Sequence, residues 1–237
     1  MADVLLVHGA MHGGWCWRSV EDHLRARGHR CHAPTLTGCG DRAHLLAPDV
    51  GVDTHVQDIL ASLEMEDMHG STLVLHSYAG ILAGPVAERA GSRLRRVVAI
   101  GAFLADPGES LLDVEPPAVA DRYRTLIAND GDGLRVPATD AFLDQWAVPS
   151  ALRASVGARL TDFPARCVDQ AVRYDPAALA ARERHYIAHT DPPLASLAAS
   201  AARARAQGWR MHSIATGHDA MLADARGTAD LIHRITC

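Results

Sequence analysis

Short runs of residues that are apolar at every position most constrain the fold of this chain. The clearest is Val97-Val98-Ala99-Ile100, and residues 4–7 and 72–75 have the same character. A strand that is apolar throughout is typical of a parallel sheet with helices on both faces. A strand with one face in water would alternate apolar and polar residues instead. The runs therefore predict a sheet that is covered on both sides.

Patterns of helical spacing separate these runs, so strands and helices alternate along the chain. The predicted strands are 4–7, 30–33, 72–75, 96–101, 185–189 and 210–214, and the predicted helices are 17–27, 54–66, 79–90, 195–207 and 223–235. Such alternation predicts βαβ units and an α/β fold with a mostly parallel, doubly wound sheet of about six strands. The length of 237 residues suits one domain over 1–237.

Residues 107–180 interrupt this alternation. The stretch is polar and contains Glu115-Pro116-Pro117 and the turn-forming run 129–133, without a clear strand. It also contains Phe142, Leu143, Trp146 and Val148, which supply an apolar face. We therefore expect a helical cap insertion over a site, the alternative being a disordered loop.

Composition excludes several classes of function. A net charge of −5 without a basic stripe argues against nucleic acid as a partner. No apolar stretch approaches the roughly 20 residues that span a membrane, and no signal peptide is recognisable, so we expect a cytoplasmic protein. The five cysteines lack zinc spacing, and reduced thiols are the simpler interpretation. We expect no metal, no cofactor, and a small-molecule substrate; a homodimer is possible.

The sequence contains no lysine, because all 23 basic residues are arginine. This excludes Schiff-base and other lysine chemistry. The bias also suggests a GC-rich source, in which tailoring of a secondary metabolite such as an aromatic polyketide would be one use of the protein.

A serine stands where the strand at 72–75 gives way to the helix at 79–90. The order strand, Ser77, small residues and helix is typical of a nucleophile elbow, which presents a serine hydroxyl above the sheet. The usual pattern G-x-S-x-G is altered here to Leu75 and Ala79. We expect the elbow to be kept, with local repacking around Leu75.

A serine nucleophile needs a general base and a carboxylate that orients it. His218 follows the strand at 210–214 and precedes the last helix, in the chain order Ser, acid, His. Asp191, after the strand at 185–189, is the first choice for the acid. Asp106, after the strand at 96–101, is the alternative.

The remaining site residues surround this pair. Backbone N–H groups of Ala10 and Tyr78 are candidates for an oxyanion hole, since Ala10 lies in a Gly-rich loop and Tyr78 follows the serine. The candidates for the substrate pocket are the aromatic and apolar side chains near these loops, namely His12, Trp15, Phe103, Trp146 and Met221, although core packing would explain any one of them equally well.

Three motifs together resemble the α/β-hydrolase superfamily, and within it the group of plant methylesterases (salicylate-binding esterases), hydroxynitrile lyases and their bacterial relatives. They are the opening segment 7–17, the segment 33–40, and Gly217-His218-Asp219-Ala220-Met221. The resemblance implies Ser77 as nucleophile, His218 as base, and Ala10 and Tyr78 as oxyanion donors. In the lyases a lysine follows the histidine. Asp219 stands there in this chain, which disfavours lyase activity.

The sequence therefore predicts a serine hydrolase that cleaves a carboxylic ester, or a related acyl compound, of a small apolar or aromatic molecule. Two alternatives stay open. The same Ser-His pair could open an epoxide or catalyse a cyclisation or lyase reaction, or the fold could serve a non-catalytic small-molecule-binding protein.

Overall fold

A six-stranded parallel sheet forms the centre of the molecule. The structure is a computed structural model, and it describes residues 1–237. The strand order is β2-β1-β3-β4-β7-β8, and every neighbouring pair is parallel. The strands are β1 Asp3–Val7, β2 Arg30–His32, β3 Ser71–His76, β4 Leu94–Ile100, β7 Glu183–His189 and β8 Arg210–Ile214. A separate antiparallel pair comprises β5 Arg135–Val136 and β6 Phe163–Pro164. The predicted α/β class and the parallel sheet of six strands are confirmed.

Helices cover both faces of this sheet and the carboxyl ends of its strands. They are α1 Arg18–Arg25, α2 Val52–Met65, α3 Ala83–Arg89, α4 Leu111–Val114, α5 Pro117–Asn129, α6 Asp140–Gln145, α7 Ser150–Gly157, α8 Arg166–Asp169, α9 Pro176–Ala180, α10 Ala198–Ala206, α11 Ala220–Ala223 and α12 Ala225–Thr236. None of the helices combines the length and the apolar character that a membrane span requires.

Alternate residues of the central strands β1, β3 and β4 enter two different apolar clusters. Leu73 and Leu75 join the larger cluster, and Val74 between them joins the smaller one with α1 and α12. Such alternation requires an apolar residue at every position, because each face of the sheet is buried against helices. This is the physical reason for the continuous apolar runs in the sequence.

The segment between β4 and β7 lies over the carboxyl ends of the strands. It contains α4–α9 and the β5–β6 pair, and Phe142, Leu143, Trp146 and Val148 are all buried in the larger apolar cluster. The segment also contacts the loops at the edge of the sheet: the Trp146 carbonyl accepts the N–H of His218 at 3.1 Å, and the Met11 carbonyl accepts the N–H of Thr161 at 3.0 Å. Ordered helices thus cover the region where loops follow the parallel strands.

Candidate active site

Ser77 occupies a strained turn directly after β3. Its φ of +54° lies in the left-handed region, which non-glycine residues adopt only when the surroundings enforce it. A short 3₁₀ helix, Ser77–Leu82, begins at this residue, and the Ser77 carbonyl accepts the N–H of Phe103 at 3.0 Å. The side chain is 8% exposed. This is the geometry of an elbow that turns the hydroxyl away from the strand.

The packing around the elbow explains the altered glycines. Leu75 is fully buried and lies in register with Ala99 of β4, whose small side chain leaves room beside it. The close approach falls instead at Gly80, where a Cβ atom would lie 2.3 Å from the Phe103 carbonyl oxygen. Gly80 therefore supplies the tight crossing that a glycine before the serine supplies in the usual motif.

His218 lies in the loop after β8 with its ring against the serine. The distance between His218 Nε2 and Ser77 Oγ is 2.9 Å. Two backbone groups fix the loop, since the His218 N–H donates to the Trp146 carbonyl and the His218 carbonyl accepts from His76 Nε2 at 3.1 Å. Burial holds the pKa of His218 well below its ordinary value, and the neighbouring His76 lowers it further. A neutral imidazole in this position can accept the serine proton.

Neither carboxylate nominated from the sequence lies against His218. Asp191 is exposed, and its backbone N–H donates to the Thr216 carbonyl at 3.0 Å. The Asp106 side chain is 48% exposed and pairs with Arg203 at 3.5 Å. His218 Nδ1, where an orienting carboxylate would bind, is buried without a hydrogen-bond partner in the protein.

Asp219 is the carboxylate that the fold brings to this site. It is 1% exposed, and its Oδ2 lies 3.4 Å from His12 Nε2. Ring nitrogens of His76 and His218 and a carboxylate oxygen of Asp219 all lie within 4.8 Å of one another. From the sequence alone, Asp219 is only a negative group that follows the histidine. Its position beside His218 was the available signal, but its burial was not visible.

Asp219 and His12 form a buried ion pair. Burial alone would raise the pKa of Asp219, but His12, His76 and His218 lower it to about 2. Burial alone would lower the pKa of His12, but Asp219 and the Ala10 carbonyl raise it above its ordinary value. His12 Nδ1 donates to that carbonyl at 2.8 Å, while its Nε2 faces Asp219 at ion-pair distance without a hydrogen bond. Asp219 thus places a carboxylate near His218 without a direct hydrogen bond, and His12 offsets part of its charge.

The loop after β1 lies directly beside the serine. A Cβ atom at Gly9 would be 2.7 Å from Ser77 Cβ, so only glycine permits this approach. The N–H of Ala10, the next residue, has no acceptor among the protein's backbone or side-chain groups. Tyr78 stands in the first turn of the 3₁₀ helix, where backbone N–H groups lack helical partners. Both N–H groups thus lie in segments that adjoin the hydroxyl.

The five candidate pocket residues occupy different places. Trp146 packs over the site, with its ring 5.2 Å from His12 and 6.3 Å from His218, and Trp15 stacks on His12 at 5.6 Å. Phe103 is buried beside the elbow. Met221 lies in the smaller apolar cluster with α1 and α12, apart from the cluster that holds Trp146 and Phe103.

Comparison with known proteins identifies the family. The model of the alpha/beta hydrolase family matches residues 4–231. The chain belongs to this family. The family resemblance inferred from the opening and histidine-loop motifs is thereby confirmed.

The relatives are named as ester hydrolases. The chain is 36% identical over 173 residues, 73% of this chain and 70% of the relative, to a carbendazim hydrolyzing esterase of Nocardioides sp.. It is 33% identical over 104 residues, 43% of this chain and 40% of the relative, to methylesterase 7 of Arabidopsis thaliana. We therefore place the chain among the enzymes, as an ester hydrolase of the alpha/beta hydrolase family.

A solved structure shows the same fold over nearly the whole length. An extracellular alpha/beta-hydrolase from a Paenibacillus species superimposes with a TM-score of 0.88, at 18% identity, and the match covers 99% of this chain and 98% of that one. The segment between β4 and β7 is therefore part of the shared fold and not an addition of this chain.

Proposed function

We propose that the protein hydrolyses a carboxylic ester through a covalent acyl-serine, with Ser77 as nucleophile and His218 as general base. The observation that carries the proposal is the 2.9 Å distance between His218 Nε2 and Ser77 Oγ at a residue held at φ +54°. A strained serine with a neutral imidazole at hydrogen-bonding distance is the arrangement that activates an alcohol.

The reaction proceeds in two halves. His218 Nε2 takes the hydroxyl proton while Ser77 Oγ bonds to the ester carbonyl carbon, and the N–H groups of Ala10 and Tyr78 hold the negative oxygen. Collapse breaks the bond to the alcohol, which leaves with the proton from His218. Water then loses a proton to His218 Nε2 as its oxygen bonds to the acyl carbon. Collapse breaks the bond between that carbon and Ser77 Oγ, which takes the proton back from His218 as the acid leaves. Asp219 stabilises the imidazolium across a few ångströms in both halves.

We further propose that the substrate is a small ester with an aromatic or apolar acyl part and a small alcohol. Trp146, Trp15 and Phe103 give the site an aromatic boundary. The segment between β4 and β7 acts as the cap that shapes the acyl pocket, because it supplies Trp146. The relatives named methylesterases support a methyl ester as the small leaving group.

A chromogenic ester assay combined with mass spectrometry tests this function. Wild type should hydrolyse 4-nitrophenyl acetate and methyl benzoate, whereas Ser77→Ala should do neither. Ser213→Ala is the matched control, because Ser213 lies exposed on β8. A fluorophosphonate should add its mass to the wild type at Ser77 and leave Ser77→Ala unlabelled. Equal hydrolysis by wild type and Ser77→Ala would overturn the proposal.

A further inference from the structure

The far ring nitrogen of His218 has an unmet hydrogen-bonding requirement. His218 Nε2 must hold a lone pair to accept the proton of Ser77, so the neutral ring carries its own proton on Nδ1. That Nδ1–H group is buried, and no protein atom accepts it. In a Ser-His-Asp triad this proton points at the carboxylate.

His189 has the same requirement for an independent reason. It is the last residue of β7, and its Nε2 accepts the N–H of Leu194 at 3.0 Å. A backbone N–H can only donate, so the neutral His189 ring also carries its proton on Nδ1. This Nδ1 is likewise buried without a protein acceptor.

The two donors meet at one place, beside Gly101. A Cβ atom at Gly101 would lie 2.7 Å from His189 Nδ1 and 3.4 Å from His218 Nδ1, and the ring centroids are 5.1 Å apart. Gly101 also has a φ of +47°, in the left-handed region that favours glycine. A side chain here would therefore clash with His189 and strain the backbone. A buried donor without an acceptor destabilises the folded protein. Both donors thus lie beside the position that a side chain at residue 101 would occupy.

The charges around this place favour an anion once catalysis begins. The titratable groups that face the cluster are His12, His76, His189, His218, Asp219 and the buried thiol of Cys16. Asp219 is the one carboxylate among them, and it is paired with His12. When His218 becomes an imidazolium, the cluster therefore gains a positive charge that no second carboxylate balances.

We propose that His189 and His218 bind a small monovalent anion, of the size of chloride or formate, between their Nδ1–H groups. The anion takes the place of the carboxylate that neither Asp191 nor Asp106 supplies. The inference rests on the proposed function of Ser77 and His218, and it adds a ligand and a role for His189 as a positioning residue.

Binding of the anion is coupled to the charge of His218. The anion is attracted more strongly to the imidazolium than to the neutral ring, so it stabilises the transition state more than the ground state. The expected effect is therefore a rise in kcat with little change in KM. Because binding favours the protonated ring, the anion should also move the acid limb of the pH–rate profile upward.

Anion titration of ester hydrolysis tests the proposal. At constant ionic strength, exchange of sodium gluconate for sodium chloride or sodium formate should raise kcat by about tenfold with saturation. His212→Asn, on β8 away from the elbow, should keep this response. A kcat that is indifferent to the small anions, as a bound water would give, overturns the proposal and leaves Ser77 and His218 as they stand.

Substitution of His189 by Asp makes the test sharper. An Asp oxygen stands where His Nδ1 stood, so His189→Asp should reach the anion-saturated rate without added anion and lose the titration. His189→Asn is the neutral control and should stay below His189→Asp. If His189→Asp keeps the wild-type anion response, the site is not where we place it.

A direct binding measurement separates this inference from the proposed function. Formate titration should shift the imidazole Nδ1–H signals of His189 and His218 in ¹H–¹⁵N spectra of Ser77→Ala, which cannot form an acyl-enzyme. Unchanged signals up to high formate concentration would overturn the anion site, whatever the hydrolysis assay shows.

Discussion

The loops after β1 and β3 and the loops after β7 and β8 meet at Ser77, but they are built on different principles. The first pair achieves its geometry by close backbone packing, with Gly9 against Ser77 and Gly80 against Phe103. The second pair, with the last residue of β7, relies on buried imidazoles and one carboxylate, namely His189, His218 and Asp219. Steric fit therefore determines where the nucleophile stands, and electrostatics determines how well its base works. Substitutions in the two pairs of loops should therefore separate the steric contribution from the electrostatic one.

Removal of the base should have the largest effect. His218→Ala leaves Ser77 without a proton acceptor, so kcat/KM for 4-nitrophenyl acetate should fall by at least about 10³-fold. His69→Ala, an exposed histidine, is the control and should keep full activity. Hydrolysis by His218→Ala within tenfold of wild type would show that another group acts as the base.

Asp219→Asn should have the second largest effect on activity. This substitution also distinguishes the three candidate acids. A lone carboxylate within 4.8 Å of the imidazolium is worth about 3 kcal/mol at an effective dielectric constant of 20, or about 10²-fold in kcat/KM. Because His12 offsets part of the charge of Asp219, this value is the upper bound of the expected loss. Asp191→Asn and Asp106→Asn should change kcat/KM less than about twofold, because both side chains are solvated. A larger loss in Asp191→Asn than in Asp219→Asn would restore the acid nominated from the sequence.

Gly9→Ala tests the steric half of the site. The added Cβ would stand 2.7 Å from Ser77 Cβ and 3.0 Å from His76 Nδ1, so the elbow must shift. We expect a loss of about 1–3 kcal/mol in the free energy of unfolding and a fall in kcat of at least about tenfold. Urea unfolding and steady-state kinetics measure the two effects. Gly157→Ala, at the end of α7, meets the tip of Leu143 at 3.3 Å and Asp140 Oδ1 at 3.9 Å, and should be close to neutral.

The smallest effect concerns the free energy of unfolding. His8 and His12, in the loop after β1, should make it depend on pH in opposite directions. Burial lowers the pKa of His8 to about 3, so its stabilising contribution is complete above pH 6.5 and is lost as the pH falls toward 3. The pKa of His12 is raised, so its contribution is complete below pH 6.5 and is lost as the pH rises through the raised value. Each slope is at most about 1.4 kcal/mol per pH unit.

Urea unfolding of two variants separates these slopes. His8→Gln should flatten the loss of unfolding free energy between pH 6.5 and 5, and His12→Gln should flatten the loss above pH 6.5. The charge states assigned to His8 and His12 would be contradicted if each variant flattened the slope expected for the other. They would also be contradicted if both variants kept the wild-type slopes.

The parts of the site that were predictable are those that depend on local sequence. The strand β3, the turn at Ser77 and the helix that follows are consecutive in the chain, and His218 follows the last strand directly. The acid was not predictable in this way, because the conformation of a loop decides whether its carboxylate contacts the imidazole. Asp191 follows β7 as expected, but it is exposed to solvent. His189, two residues earlier, packs its ring against His218 instead.

The sequence by itself determined the α/β class, the parallel sheet of six strands, the family and the candidate nucleophile and base. These follow from apolar periodicity and from residues that are close in the chain, and both are local properties. Only the tertiary structure decided that Leu75 fits beside Ala99, that Asp219 is buried against His12, and that His189 and His218 face each other across Gly101. Such contacts join strands and loops far apart in sequence, and burial, charge and steric fit arise only when the chain has folded.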